Sequence, residues 1–343
     1  MTPEASLSDM VETTVHPLPY SLSKSRHSTI LLFGEVLMDC FPDREVQGGA
    51  PFNVAHHLRG LGERVGVVPV LVTRIGKDEY GHRLLDAMQS AGLTIDGVQL
   101  DSLHPTGKVR IDLEADGQGH RFEIAPGQAW DFIHADMARL VGLSSRPEWL
   151  YFGTLAQRSA VRPIARPVAH PALRALLQTT HAKGFLDINL RDPWVRKDVL
   201  RWSLGKAEIV KMNEEELLRV AHMMGLGSAS QTVLGKRLLH AFGIRQLLVT
   251  EGRNGAWLLQ NDGTHHHTGP TEPLVDVVDS VGAGDGFAAV FLLGLTQGWP
   301  AEQTLDRAHR FAGEICRLRG AIPDSDSFYQ PFITEWLLAG RPT

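Results

Sequence analysis

From residue 28 onward, short apolar runs alternate with longer stretches in which apolar residues recur at helical spacing. Residues 28–33 (STILLF), 65–72, 149–155, 185–189, 209–212 and 246–250 are apolar runs bounded by polar or turn residues, and are expected to be strands. Between them, 51–61, 79–91, 171–182, 214–224 and 231–242 carry the pattern of helices. Strands spaced by helices of this length form right-handed crossover units and a sheet covered on both faces. The expected fold class is α/β, doubly wound, with a mainly parallel sheet flanked by helices.

Two stretches break the alternation. Residues 108–125 alternate polar and apolar positions around Ala115-Asp116-Gly117-Gln118-Gly119, which reads as a hairpin with a Gly-rich turn. A second, short excursion at 39–47 separates the first strand from the first helix. Together they predict a small β-sheet lid, inserted from about 39–47 and 107–126, of the kind that excludes water from a site. Residues 260–267 predict another hairpin, turning at Asn261-Asp262-Gly263. It carries His265-His266-His267, but consecutive side chains on an extended segment point to alternate faces and converge poorly on one metal ion. The expected organisation is a disordered tail at 1–27, one α/β domain at 28–330, and a C-terminal segment at 331–343.

Composition narrows the function. The 343-residue chain has a formal net charge of −5 and no Lys/Arg cluster, which argues against nucleic acid as a partner. No apolar run approaches the roughly 18 residues needed to span a bilayer, so no membrane partner is expected. The first residues lack the apolar core of a secretory signal. Cys40 and Cys316 are the only cysteines and suit a reducing cytosol, so the expected location is cytoplasmic.

Residues 274–290 (LVDVVDSVGAGDGFAAV) carry the strongest chemical signal. An apolar run ends at Asp279-Ser280, Gly282-Ala283-Gly284 turns tightly, and Asp285 opens a helix. Amides at such a junction lack internal partners, and with the helix dipole they make an anion site. A carboxylate beside bound phosphate repels it, which makes sense if Asp285 takes a proton from a hydroxyl attacking that phosphate. The competing reading is that Asp285 only caps the helix. No Walker A loop, dinucleotide fingerprint or protein-kinase motif occurs.

Asp279 to Phe287 (DSVGAGDGF) resembles the C-terminal motif of the ribokinase/PfkB family of carbohydrate kinases. Gly48-Gly49-Ala50-Pro51-Phe52-Asn53-Val54-Ala55 resembles its other long motif. The resemblance runs in order over nearly all of the chain beyond the tail. It implies an ATP-dependent kinase with a ribokinase-like fold, Asp285 as general base, and an anion hole from Gly282, Ala283 and Gly284. It places the sugar against Asp39, Gly48, Gly49 and Asn53. Lys211-Met212-Asn213-Glu214-Glu215-Glu216 resembles an N-x-x-E motif, implying that Glu216 organises Mg²⁺ through water and Asn213 meets the nucleotide. Thr250, Gly252 and Gly255 match a T-x-G-x-x-G turn that also meets the nucleotide. Asp279 is implied as part of a K⁺ site, together with a later segment at 312–320. Taken singly, Asp39 could be a loop residue, Glu216 a first-turn carboxylate serving the helix dipole, and the glycines hairpin residues.

Gly34-Glu35 and Gly49-Ala50-Pro51-Phe52-Asn53 resemble fructokinases more than ribokinases. Asp187-Ile188-Asn189-Leu190-Arg191-Asp192-Pro193-Trp194 resembles a stretch shared by fructokinases and 2-keto-3-deoxygluconate kinases. Arg191, after a strand end, is placed to meet a phosphate or an acidic substrate group. The expected substrate is fructose, with 2-keto-3-deoxygluconate, ribose or a nucleoside as rivals; a non-catalytic sugar-binding relative is the remaining alternative. The lid's open strand edges make a homodimer an expectation.

Overall fold

The computed structural model describes residues 27–113, 120–158, 169–270 and 277–338. All but His27 of the expected tail at 1–27, the expected hairpin turn near 115–119, residues 274–276 of the apolar run and the end of the expected C-terminal segment lie outside them. Strand β1 (Ser28–Phe33) sits inside a nine-stranded sheet. Ile30 and Leu32 pack to one side of it, Leu31 and Phe33 to the other. A strand buried on both faces needs apolar residues at every position, hence the unbroken run ILLF.

Two short strands follow, β2 (Leu37–Cys40) and β3 (Glu45–Gly48), then helix α1 (Ala50–Gly62). Strand β4 (Val67–Gly76), helix α2 (Glu79–Ser90) and strand β5 (Val98–Asp101) come next. The hairpin strands are β6 (Gly107–Leu113) and β7 (His120–Ile124), and helix α3 (Ala135–Ser145) returns the chain to the sheet. Then follow β8 (Trp149–Gly153), α4 (Ala169–Thr180), β9 (Lys183–Asp187), α5 (Lys197–Leu204), β10 (Ile209–Asn213), α6 (Glu214–Met224), α7 (Gln231–Phe242) and β11 (Gln246–Thr250). Strands β12 (Ala256–Gln260) and β13 (His265–His267) form the expected hairpin, and α8 (Ala283–Gln297) and α9 (Ala301–Ile315) complete the large elements.

The large sheet has the order β13-β12-β11-β10-β9-β8-β1-β4-β5. It is parallel from β11 to β5, with the β12–β13 hairpin added antiparallel at one edge. One core lies between the sheet and α1, α2, α8 and α9; the other lies under α3 to α7. The second sheet has the order β3-β2-β6-β7. Here the segment at 39–47 does more than make an excursion. Its two strands pair antiparallel with each other, and β2 pairs parallel with β6, so both insertions build one small sheet. The expected strand at 65–72 starts instead at Val67, because residues 63–65 form a 3₁₀ turn, and it runs on to Gly76.

Candidate active site

Strands β9, β10 and β11 all end at one rim of the sheet, with Asp187, Asn213 and Thr250 as their last residues. Open α/β sheets bind ligands beyond their carboxyl ends, because loops and helix N-termini gather there. Two adjoining cavities occupy that rim. The smaller, about 390 Å³, is lined by carboxylates, by the turn before α8, and by Leu37, Val109 and Ile124 of the second sheet. The larger, about 850 Å³, is mostly apolar and is bounded by Thr250, Gly252, Phe287 and Ala312 among others. Thr250, Ser280 and Gly284 border both.

Asp285 stands in the first turn of α8 and faces the smaller cavity. The N-cap is Gly282, with φ of 81°, and no side chain caps the helix. Asp285 is therefore not spent on capping. Its Oδ2 instead accepts a 2.8 Å hydrogen bond from Nδ2 of Asn53, which α1 brings from the far side of the turn. Burial pushes the Asp285 carboxyl up to about 6, assisted by nearby Asp187 and opposed by Asn53, Lys211 and Arg191. Gly282 is required twice over: its φ is left-handed, and a Cβ there would overlap Ala321. Among the described residues the amides of Gly282 and Gly284 meet no acceptor, whereas that of Ala283 donates at 3.3 Å to Ser280 O and closes the turn.

Beneath this turn lies a pair to which the sequence reading assigned no role. Lys211 Nζ contacts both Asp187 oxygens at 3.0 and 2.9 Å, and Tyr151 donates to Asp187 Oδ2 at 3.2 Å. Lys211 is buried yet borders the cavity, close under Gly284. Its signal was available: a lysine within the apolar strand IVKMN needs a partner or a task.

Of the residues expected to meet the sugar, Asp39, Gly49, Asn53 and Arg191 line the smaller cavity. Gly48 supports rather than lines it, since the Asp39 carboxylate occupies the space a Gly48 Cβ would take. Glu35, also unassigned by the sequence, is buried in the same wall. Desolvation raises both Glu35 and Asp39 to about 7. Arg158 was missed altogether. It is buried against Asp131 at 2.7 and 2.9 Å and lies between the Trp130 and Trp194 rings. Its donation to Ala125 O at 2.7 Å ties the end of β7 to the body of the protein.

Asn213 and Glu216 form a reciprocal capping box at the start of α6. The Glu216 oxygens accept from the amides of Leu190 at 2.7 Å and Asn213 at 3.0 Å, so both are already engaged, and burial raises the carboxyl's pKa. Of the expected nucleotide residues, Asn213 borders the smaller cavity, Thr250 both cavities and Gly252 the larger. Gly255 borders neither cavity, and a Cβ there would meet Thr268 O. Asp279 Oδ1 accepts from the Val281 amide at 3.0 Å, which sets the approach to the turn.

A parallel sheet with a carboxylate and bare amides at a helix N-terminus, between a carboxylate-rich cavity and an apolar one, is the architecture of a small-molecule kinase. Residues 25–327 match the pfkB family carbohydrate kinase model. A fructokinase from Escherichia coli is 28% identical over 315 residues, covering 85% of this chain and 94% of that protein. A fructokinase from Xylella fastidiosa, solved with bound ATP, superposes with a TM-score of 0.74 at 24% identity, covering 90% of this chain and 99% of that one. The 2-dehydro-3-deoxygluconokinase of Thermotoga maritima does so with a TM-score of 0.73 at 16% identity, covering 90% and 98%. This chain belongs to the pfkB family of carbohydrate kinases. It is an ATP-dependent sugar kinase.

Proposed function

We propose that the protein transfers the γ-phosphoryl group of ATP to a primary hydroxyl of fructose. The observation that carries this reading is the Asp285 carboxylate, held by Asn53 at the mouth of the bare-amide turn. The sugar oxygen attacks phosphorus, the bond from phosphorus to the ADP oxygen breaks, and Asp285 takes the hydroxyl proton. The free amides of Gly282 and Gly284 and the Lys211 ammonium stabilise charge on the transferring group. Thr250 and Gly252 border the nucleotide, and Asn213 its phosphate end. Bound Mg²⁺ would neutralise charge on the β- and γ-phosphates. Glu216 fits that ion through water, because each of its oxygens already accepts one amide and keeps a lone pair. Asp279, with one oxygen committed to Val281, is assigned to the K⁺ site.

The sugar assignment rests on charge. Glu35, Asp39, Asp187, Glu216 and Asp285 line the smaller cavity, with Lys211 and Arg191 as its only Lys or Arg among the described residues. Lys211 and Asp187 offset each other, which leaves Glu35, Asp39, Glu216 and Asp285 against Arg191. Carboxylates pair well with hydroxyls and repel a carboxylate substrate, which favours a neutral ketose over a sugar acid. Arg191 supports 2-keto-3-deoxygluconate as the second reading. A coupled ATP-consumption assay across fructose, ribose, 2-keto-3-deoxygluconate and adenosine is expected to give fructose the highest kcat/KM. First place for the sugar acid would overturn the assignment.

The pH profile follows from the base. Only ionised Asp285 can accept a proton, and its carboxyl sits at about 6. Activity is therefore expected to rise with pH through that region, with kcat/KM falling about tenfold per unit on the acid side. Glu35 and Asp39 titrate nearby, so the limb belongs to the coupled group. A profile flat from pH 5 to 8 would remove Asp285 from the role.

A further inference from the structure

The face of α1 that presents Asn53 presents His57 one turn later. Four residues apart on a helix, the two side chains point the same way. Asn53 grips Asp285; His57 grips what lies behind the turn. Its Nε2 is 3.0 Å from the carbonyl oxygen of Ala321, and Ala321 packs on Gly282 where a Cβ would otherwise be. The base and the amides that accompany it thus hang from one rigid element through two separate connections.

The hydrogen bonds around His57 have only one consistent direction. A carbonyl can only accept, so Nε2 carries the proton and, in a neutral ring, Nδ1 accepts. The Tyr329 hydroxyl, 3.0 Å away, therefore donates to His57 Nδ1. That hydroxyl in turn accepts from Nδ1 of His56, also at 3.0 Å. The ring is fully buried, and burial lowers its pKa to about 3, which keeps it neutral. Phe311 meets it edge-on, with ring centres 5.3 Å apart.

We propose that His57 is a positioning residue that holds the 282–284 turn in register with Asp285, acting through the carbonyl of Ala321. The proposal rests on the reading of that turn as the phosphoryl-binding element. His57 touches no substrate. It sets where the Gly282 and Gly284 amides stand relative to the base, and displacements near 1 Å in such a constellation cost up to about a hundredfold in rate.

The test is calorimetric binding of ADP, with and without aluminium fluoride as a mimic of the transferring group. It is done in the presence of the sugar that the wild-type protein turns over fastest. His57→Met is expected to lose about ten- to a hundredfold of the fluoride-dependent tightening and of kcat. Binding stoichiometry and the sugar KM should stay unchanged. His57→Gln, whose side-chain amide can still donate to Ala321, recovers most of both. A Met variant that binds at full stoichiometry and tightens like wild type overturns the proposal, as does a Gln variant no better than Met. Should His57→Met fail to fold, Tyr329→Phe carries the test; it is expected to lose a smaller part of the tightening, and no loss overturns the proposal. A wild-type protein that shows no fluoride effect would instead sink the reading of the turn, and the proposal with it.

Discussion

Asp285→Asn lowers turnover at least about a hundredfold and leaves ATP binding intact, the scale expected when a general base is lost. The substitution preserves shape, and the new carbonyl can still accept from Asn53 Nδ2 at the present 2.8 Å. Only the capacity to take up a proton goes. Because Gly282 is the N-cap, α8 loses no capping group and the fold should stand. Removing a negative charge beside the phosphates should also make ATP bind as well or better. Glu35 and Asp39 feel less repulsion once Asp285 is neutral, so both should titrate lower than in the wild type. Single-turnover kinetics with calorimetry of ATP separates the chemistry from the binding. A variant that keeps near-normal turnover means that another group takes the proton, and that Asn53 holds a merely structural carboxylate.

How much of this was legible without coordinates depended on whether the signal was local. Strands β1 and β11 and helices α6 and α7 fall within the expected bounds to the residue, because each is a complete apolar run or amphipathic period between polar breaks. Helix α9, with Leu305, Ala308, Phe311 and Ile315 as its buried stripe, is equally periodic, although it is not among the expected elements. Helix α3 is weaker on its face: Gly and Ser interrupt it and it offers few apolar residues to the core. The parallel β2–β6 pair is non-local, and nothing in either segment specifies its partner.

The site divides in the same way. Asp285, Asn53 and the 282–284 turn announce themselves through glycine-bearing motifs. The hydrogen bond between Asn53 and Asp285, which shows that the carboxylate is engaged outside the helix cap, joins residues 232 apart in sequence. The Gly255 case runs the other way. It matches the nucleotide-turn pattern, but the fold uses it to pass close to Thr268. Arg158 had no local mark at all, since its meaning lies in Asp131 and two tryptophans contributed by other segments.

Lys211→Met is the second large effect, and it should act on three observables at once. Loss of the cation that we propose stabilises the transferring phosphoryl should cost about 10²–10³ in kcat, as for removal of one preorganised donor. Asp187 would be left buried without its partner, with Tyr151 alone still donating to it, and breaking such a pair destabilises by about 3–5 kcal/mol. The ammonium also helps hold Asp285 ionised, so its loss moves the acid limb of the pH profile upward. A second substitution tells these apart. In Lys211→Met/Asp187→Leu the uncompensated charge is gone, so stability should largely return. The limb should move back as well, because Asp187 raises the Asp285 pKa where Lys211 lowers it. Turnover should not return, since the positive charge at the phosphoryl site is still missing. If the double variant regains wild-type turnover, Lys211 serves only to neutralise Asp187, and phosphoryl stabilisation must come from the Gly282 and Gly284 amides alone.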